Sequence, residues 1–274
     1  MLVDVDARVL ANRHLSDTYN ILELEAPTIA AKCRPGQFVM VKTALGQEPL
    51  LRRPFSVFER LRDRHGLLIG ISLLSKRIGK VTQDLFAVEP DEYIRCLGPL
   101  GKHFTIVEPP MSAWMVAGGV GLAPFATLAE ALSELHTNTT LFYGGRTSAD
   151  LYHLSFFQKL GVRIILTTED GSRGEPGRIT EPLKRELQTT NGRSAMIYAC
   201  GPTPMMQSVA ELGANANRPT EVSLEPIMGC GLGGCYSCVV PVRNDDTKSQ
   251  SHFVRSCLEG PVFSGTEIIW PNLI

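Results

Sequence analysis

Four of the seven cysteines fall near the C-terminal end of the sequence, at a spacing that could bind iron. Cys230, Cys235 and Cys238 form a C-x4-C-x2-C pattern, and Cys257 follows after a gap of eighteen residues. This is the ligand spacing of plant-type [2Fe-2S] proteins. Small residues between the first three cysteines would let backbone amides approach cluster sulfur atoms. The spacing therefore predicts a [2Fe-2S] cluster.

Zinc binding and disulfide formation are the weaker alternatives for these cysteines. A zinc site usually has two C-x2-C motifs or adds histidines, and only His252 lies nearby. Disulfides need an oxidising compartment, and the N-terminal residues carry acids where a secretory signal has a basic region. We expect a cytoplasmic protein that does not cross a membrane, because no apolar run is long enough to span one.

Length and composition indicate an ordinary globular protein of two or three domains. The chain has 274 residues, of which 43% are hydrophobic and 20% are charged. Its formal net charge of -1 gives no basic surface on which to bind a nucleic acid.

The elements that must position the cysteines change in character along the chain. Up to about residue 105, short apolar segments alternate with turn signals, a pattern typical of a small antiparallel β-barrel. Only one segment there, residues 79–86, has the pattern of a helix. From Ser112, strands alternate with helices, which predicts a parallel α/β domain. We predict a barrel domain, an α/β domain and a small cluster domain, at residues 1–105, 106–222 and 223–274.

A glycine turn is the second chemical signal. Residues 118–124 read G-G-x-G-x-A-P between an apolar strand and a helical segment. Backbone amides in such a turn can bind a dinucleotide pyrophosphate, although glycines also simply let a strand and a helix pack closely. The next strand ends at Arg146, at a position where an acid that binds ribose is common. Arg146 and Arg173 could each bind either a diphosphate or a 2′-phosphate, so they do not decide between NAD and NADP.

A third signal lies at the start of a barrel strand, where Arg52 and Arg53 precede Pro54, Phe55 and Ser56. A guanidinium can pair with phosphate, an aromatic ring can stack on a flat cofactor, and a hydroxyl can donate or accept a hydrogen bond. An exposed arginine pair before a strand is the simpler alternative.

In their order and spacing, these motifs resemble the ferredoxin reductase-like flavoproteins over essentially the whole chain. Within them, the sequence is most similar to the electron-transfer subunit of the NAD-dependent type of dihydroorotate dehydrogenase. The motifs that carry the resemblance are Arg-Pro-Phe-Ser at 53–56, Leu-Gly-Pro-Leu-Gly at 97–101, the glycine turn at 118–124, Tyr-Gly-Gly-Arg at 143–146, Glu-Asp-Gly-Ser at 169–172, Cys-Gly-Pro at 200–202, Glu-x-x-Met-x-Cys-Gly at 225–231 and Cys-x-Glu-Gly-Pro-Val-Phe at 257–263.

The resemblance implies FAD in the barrel, NAD or NADP on the α/β domain, and the [2Fe-2S] cluster in the third domain. By position, Arg53 would contact the FAD pyrophosphate, Phe55 would lie near the flavin, and Ser56 would lie by the edge of its ring. Ser56 and Cys200 are the implied catalytic residues, Cys200 being close to the nicotinamide. Further residues implied in cofactor binding are Pro54, Gly98, Gly119, Gly121, Pro124, Gly201, Pro202 and Glu225.

The resemblance also implies that a turn at Gly79 and Thr82 supports the flavin phosphates. Val81 departs from the family pattern, because a second glycine usually stands there.

The implied function is electron transfer between NAD(H) and a catalytic partner, so we expect a hetero-oligomer. In the dihydroorotate case the partner is an FMN-containing subunit that oxidises dihydroorotate to orotate in pyrimidine biosynthesis, docking near Leu232 and Tyr236. Similar subunits serve sulfide dehydrogenases, hydrogenases and ferredoxin-NADP transhydrogenases, which is the alternative. A redox-sensing or scaffold protein that binds no nicotinamide is a third possibility.

Overall fold

The computed structural model describes residues 2–43, 50–189, 194–244 and 247–272. Its first part is an antiparallel sheet with two helices, α1 Pro27–Lys32 and α2 Lys80–Ala87. The strands are β1 Val3–His14, β2 Tyr19–Glu25, β3 Phe38–Thr43, β4 Arg53–Ser56, β5 Arg60–Arg62, β6 Leu68–Lys76 and β7 Tyr93–Leu100. They are ordered β4-β3-β7-β1-β2-β6-β5 across the sheet.

The edge strands β4 and β5 follow each other in the chain, and the three residues between them close the sheet. The Val57 amide donates to the Gln37 carbonyl at 3.1 Å, and the Phe58 amide donates to the Ser72 carbonyl at 2.9 Å. These bonds satisfy backbone groups that an open edge would leave unpaired. The sheet therefore curls on itself, and the predicted antiparallel barrel is confirmed.

The expectation of a single helix in this part is wrong, because α1 is a second one. It begins with Pro27, which suits the first turn of a helix, where the N–H that proline lacks would have no partner. Its six residues bury only Ile29 and Ala30. So short a segment has no helical period that a sequence pattern could reveal.

Both faces of β3 are buried, against different neighbours. Val39 and Val41 pack into the barrel core, whereas Phe38 and Met40 pack outside the barrel against the C-terminal cysteine segment. Successive side chains of a strand point to opposite faces. The nearly unbroken apolar sequence of β3 follows from this double burial.

The second part is an α/β unit. Its strands are β8 Ser112–Gly118, β9 Thr139–Gly145, β10 Arg163–Thr168, β11 Glu175–Pro176, β12 Ala195–Cys200 and β13 Thr220–Ser223, and its helices are α3 Phe125–Glu134, α4 Leu154–Lys159, α5 Thr180–Thr189 and α6 Thr203–Asn215. All pairings among these strands are parallel. Residues of α3 and α4 pack on one face of β8, and residues of α5 and α6 pack on the other. The predicted parallel α/β architecture is confirmed.

The C-terminal part contains the hairpin of β14 Val239–Asn244 and β15 Thr247–Arg255, then α7 Ser256–Glu259 and β16 Val262–Ser264. Strand β16 pairs antiparallel with β13, so the second sheet has the order β11-β10-β9-β8-β12-β13-β16. The Lys102 amide at the end of the barrel donates to the Gly260 carbonyl at 2.5 Å. The cysteine segment is thus attached to both larger units. Among the helices that the structure describes, none has the length and apolarity to cross a membrane.

The barrel and the α/β unit share a buried polar contact. The Thr127 amide in α3 donates to the Phe58 carbonyl at 3.1 Å, and His153 lies 3.2 Å from the Glu59 carboxylate. Burial raises the pKa of the adjacent Glu130 to about 7, with Arg60 opposing the shift and Glu59 adding to it.

Glu130 should make the stability of the protein depend on pH. A carboxyl group whose pKa is higher in the folded state stabilises the fold while it is protonated, and this stabilisation is lost as the pH rises through the folded pKa. From about pH 5 to about pH 8 we therefore expect Tm to fall more in the native protein than in Glu130→Gln, whose side chain does not ionise. Thermal unfolding followed by circular dichroism measures both slopes, and equal slopes would contradict the assignment.

Candidate functional site

The C-terminal cysteine loop brings four thiols together as two neighbouring pairs. Cys230 and Cys235 interact with each other, and Cys238 interacts with Cys257, both of which are buried. Among the described residues, no group of three or more metal-binding side chains is arranged to hold a single metal ion. A [2Fe-2S] cluster shares four cysteines between two irons. Two pairs of thiols fit that arrangement.

The loop backbone also suits a cluster. Gly231 has φ 71° and Gly233 has φ 80°, a left-handed conformation that glycine adopts without strain. The Leu232 amide donates to the Cys230 sulfur at 3.3 Å. Hydrogen bonds from Ser237 lower the pKa of Cys235 to about 6, which favours the thiolate form that binds metal.

Arg52, just before β4, and Arg53, the first residue of β4, have different surroundings. Arg52 donates to Asp4 at 2.8 Å, and its side chain is largely buried. Arg53 is exposed, and within the described part of the chain its guanidinium donates to the nearby carbonyls of Leu51 and Arg52, at 3.1 Å each. Arg53 is therefore the arginine placed to reach a phosphate. Phe55 packs partly on the barrel core.

The turn before α2 is built around Thr82. Its hydroxyl accepts hydrogen bonds from the amides of Ile78 at 2.8 Å and Gly79 at 2.9 Å. Thr82 therefore shapes the turn. A β-carbon at Gly79 would have open space, with no atom within 4 Å. Val81 is buried in the barrel core, which explains why a valine stands where the family usually has glycine.

Gly98 has a packing reason to be glycine. A β-carbon there would lie 2.6 Å from the Val39 side chain on the neighbouring strand. Its predicted part in cofactor binding stays a prediction.

A cleft of about 640 Å³ opens where the parallel strands β8, β9, β10 and β12 end. The glycine turn at 118–120, Arg146, residues 201–206 and Glu225 line it, and Tyr19 and Lys76 close it from the barrel. Ligands of open α/β sheets bind at the carboxyl ends of the strands. The cleft is therefore the candidate nicotinamide nucleotide site.

The glycines of this cleft allow close approach of backbone. A β-carbon at Gly121 would lie 2.3 Å from the Cys200 carbonyl, so the turn after β8 packs directly on the end of β12. Gly119 has φ 54°, and its nearest side-chain neighbour is the Tyr19 hydroxyl. Pro124 directly precedes α3, and Gly201, with φ 145°, packs on Gly118.

Cys200 and Glu225 form a hydrogen-bonded pair beside the cleft, which Glu225 lines. The Cys200 thiol is fully buried and donates to Glu225 Oε1 at 3.8 Å. Burial raises the pKa of the Cys200 thiol well above its ordinary value, so it is not a thiolate at neutral pH. The surrounding protein also raises the pKa of Glu225, although its carboxyl group remains accessible from the cleft.

An acidic residue that could take the place of the one missing from the end of β9 follows the next strand. Glu169 follows β10, lines the cleft, and its amide donates to the Gly145 carbonyl at 3.1 Å. The sequence analysis did not assign this role, although the Glu-Asp-Gly-Ser motif directly after an apolar strand was the available signal. A carboxylate at this position of the cleft could accept hydrogen bonds from a ribose diol.

The barrel, the strand-end cleft and the paired thiols together define an oxidoreductase that binds FAD, a nicotinamide nucleotide and an iron–sulfur cluster. Family comparisons agree: residues 6–104 match the oxidoreductase FAD-binding domain, residues 115–211 the oxidoreductase NAD-binding domain, and residues 225–269 the iron-sulfur cluster binding domain of dihydroorotate dehydrogenase B.

Relatives that match over nearly their whole length show which family of oxidoreductases this chain belongs to. The electron transfer subunit of dihydroorotate dehydrogenase B (NAD(+)) from Desulforamulus reducens is 36% identical over 265 residues, covering 97% of this chain and 98% of the relative. The homologue of that subunit from Aquifex aeolicus is 33% identical, covering 98% of this chain and 100% of the relative. The chain belongs to the family of dihydroorotate dehydrogenase B electron transfer subunits.

Solved structures share the fold. A chain of the NADH-dependent reduced ferredoxin-NADP oxidoreductase, described in work on flavin-based electron bifurcation, has a TM-score of 0.82 and 27% identity, covering 98% of this chain and 91% of that chain. The ferredoxin reductase of carbazole 1,9a-dioxygenase has a TM-score of 0.66 and 22% identity, covering 80% of this chain and 67% of that chain. The likeness to the carbazole 1,9a-dioxygenase reductase shows a shared fold alone.

Cys235→Ser should abolish cluster binding, because it removes one of four iron ligands and cysteine sulfur binds this cluster type. We expect the visible absorption of the cluster to disappear and amide hydrogen exchange to speed up across residues 225–269, since a small segment depends on its metal site for stability. Cys33→Ala, in the barrel core, is the control and should keep the cluster. A full-strength [2Fe-2S] spectrum in Cys235→Ser would refute the ligand assignment.

Glu169→Gln should weaken discrimination against NADPH, because a carboxylate repels the additional 2′-phosphate. Removing that repulsion should raise the ratio of kcat/KM for NADPH to that for NADH by roughly five- to tenfold. Stopped-flow bleaching of the flavin measures the ratio. Glu175→Gln, on the neighbouring strand β11, is the matched control; an equal change in both variants would show that Glu169 has no specific role.

Proposed function

We propose that this chain passes electrons between NAD(H) and a catalytic partner subunit, through FAD and a [2Fe-2S] cluster, in the oxidation of dihydroorotate to orotate. The observation that carries the proposal is the position of the paired thiols. Cys238 and Cys257 pack with Met40 on the outer face of the barrel, and Met40 is paired with Pro54 in the flavin-type strand. Cluster and flavin sites are thus neighbours.

The bound groups supply the redox chemistry. A nicotinamide transfers two electrons as a hydride, the cluster transfers one electron, and a flavin can exchange electrons singly or in pairs. The residues of the chain orient these groups. We assign Arg53 to the FAD pyrophosphate, Phe55 and Ser56 to the flavin ring, and the Gly79 turn to the flavin phosphates. Arg53 is exposed and positively charged, as a phosphate ligand requires.

Within the cleft, we assign Gly119, Gly121 and Pro124 to the nucleotide and the segment at 200–202 to the nicotinamide end. The neutral Cys200 thiol and Glu225 would border the nicotinamide end. Lys76, 3.6 Å from Asp150, lines the opposite wall and brings a positive charge towards a diphosphate. These roles require no general-base histidine.

The partner would dock on the apolar surface around the cysteine loop. Leu232, Tyr236 and Phe253 are 51%, 61% and 67% exposed there. Exposed apolar patches of this kind commonly mark protein interfaces, and aromatic side chains are typical binding anchors. An FMN-containing subunit seated there would lie next to the cluster. We also propose a cytoplasmic location, where thiolates stay reduced for iron binding.

A second candidate keeps the cofactors and changes the partner. The near-complete structural likeness to the NADH-dependent reduced ferredoxin-NADP oxidoreductase chain favours it. In that case electrons would pass to or from another redox complex, and the pyrimidine would play no part.

The two candidates separate in a reconstitution experiment. The purified chain is mixed with dihydroorotate and NAD+, with and without an FMN-containing dihydroorotate dehydrogenase subunit, and NADH is followed by absorbance. We expect NADH to form only when both subunits are present. Absence of NADH, although the chain's own flavin is bleached by NADH, would favour the other redox partners.

Bleaching by NADH also tests a non-enzymatic role. A flavin that neither NADH nor NADPH bleaches would point to a redox-sensing or scaffold protein.

A further inference from the structure

At Gly231, the cysteine loop packs closely against the barrel. Met40 on β3 is fully buried. A β-carbon at Gly231 would lie 2.5 Å from Met40 Cγ and 3.0 Å from its sulfur. Both distances are shorter than van der Waals contact, so the Met40 thioether occupies the space that a side chain at position 231 would need. Gly231 immediately follows the ligand Cys230.

The other glycines of the loop make no such contact with the barrel. A β-carbon at Gly233 would meet Leu258 and Arg255 of the same segment, and one at Gly229 would meet Cys235 and Ser237. Gly234 has open space, with no atom within 4 Å. Among the described glycines between the first and third cysteines, Gly231 is therefore the one that fixes the loop to the barrel.

Met40 is also tied to the flavin-type strand. In the β3–β4 ladder it stands opposite Pro54, between the pairs Val39–Phe55 and Val41–Arg53. Its side chain points away from the barrel core, into the apolar cluster that contains Met228, Cys238 and Cys257. One residue thus links the strand expected to hold the flavin with the segment expected to hold the iron.

The side-chain type suits this task. Methionine is unbranched and flexible, so it can fill an irregular gap over a glycine. The backbone adds a second requirement, since Gly231 has φ 71° and the Leu232 amide beside it points at the Cys230 sulfur. Displacing Gly231 would move both the ligand residue and this amide.

We propose that Met40 is a positioning residue for electron transfer: it seats Gly231 and thereby fixes the Cys230 and Cys235 arm of the cluster against strand β4. The inference rests on the proposed flavin and cluster function and goes beyond it, because it assigns the distance between the two groups to one packing contact. Leu100, whose Cδ1 lies 3.4 Å from the same β-carbon position, supports the seat from β7.

The test is a cycle of alanine variants in the full chain: Gly231→Ala, Met40→Ala and the double variant. Gly234→Ala is the matched control, because it adds the same methyl group to the same loop in open space. The readouts are iron and acid-labile sulfide per FAD, the visible circular dichroism of the cluster, and the stopped-flow rates at which NADH reduces first the flavin and then the cluster.

We expect Gly231→Ala to lose most of its iron while Gly234→Ala keeps most of it. Met40→Ala should bind iron, but cluster reduction should slow by about tenfold or more, because small displacements of reacting groups have large effects on rate. Flavin bleaching should change much less. The double variant should regain iron relative to Gly231→Ala, since the smaller side chain relieves the clash. Gly231→Ala and the double variant both place an alanine on the left-handed backbone of residue 231, so their comparison isolates the side-chain contact.

Three results would overturn the proposal: equal iron content in Gly231→Ala and Gly234→Ala, no recovery in the double variant, or cluster reduction in Met40→Ala as fast as in the native protein. Met40→Leu, which nearly conserves volume, should behave as the native protein. If Met40→Ala does not fold, Met40→Val is used in its place in the cycle. Absence of iron from the native protein would instead refute the proposed function, so the two failures are distinguishable.

Discussion

The burial of β3 on both faces is the constraint on which the rest of the structure depends. A strand with Val39 and Val41 on one face and Phe38 and Met40 on the other cannot leave either face in water without loss of hydrophobic stabilisation. The cysteine segment covers the outer face. In return, a segment too short to bury a sufficient core of its own gains apolar contacts and a fixed position. Packing and electron transfer thus require the same geometry.

The nucleotide cleft depends on a second buried contact, between the barrel and the α/β unit. The Tyr19 hydroxyl donates to Asp150 at 3.1 Å, and residues of both units share one apolar core around Phe58, Phe104 and Phe125. A flavin on the barrel and a nicotinamide in the cleft would therefore face each other across an interface that packing holds in place. Glu169 and Glu225 both line this cleft, and Cys200 lies beside Glu225.

Features that depend on local pattern could be predicted from the sequence. Turn signals and strand–helix alternation predicted the barrel and the α/β unit, and cysteine spacing predicted the iron–sulfur cluster. Features that depend on distant contacts could not. Strand β16 has three residues and forms only because β13 offers an edge. Val81 departs from the family pattern because it is buried, and the seat of Gly231 on Met40 joins residues far apart in the chain. Glu169 follows β10, yet its amide bonds to Gly145 at the end of β9.

The ratio of FAD, iron and acid-labile sulfide in protein purified without oxygen tests the central claim most directly, since a flavin and a thiolate-bound iron pair must be present together. We predict about one FAD, two irons and two sulfides per chain. Yellow protein that contains neither iron nor acid-labile sulfide would contradict this claim.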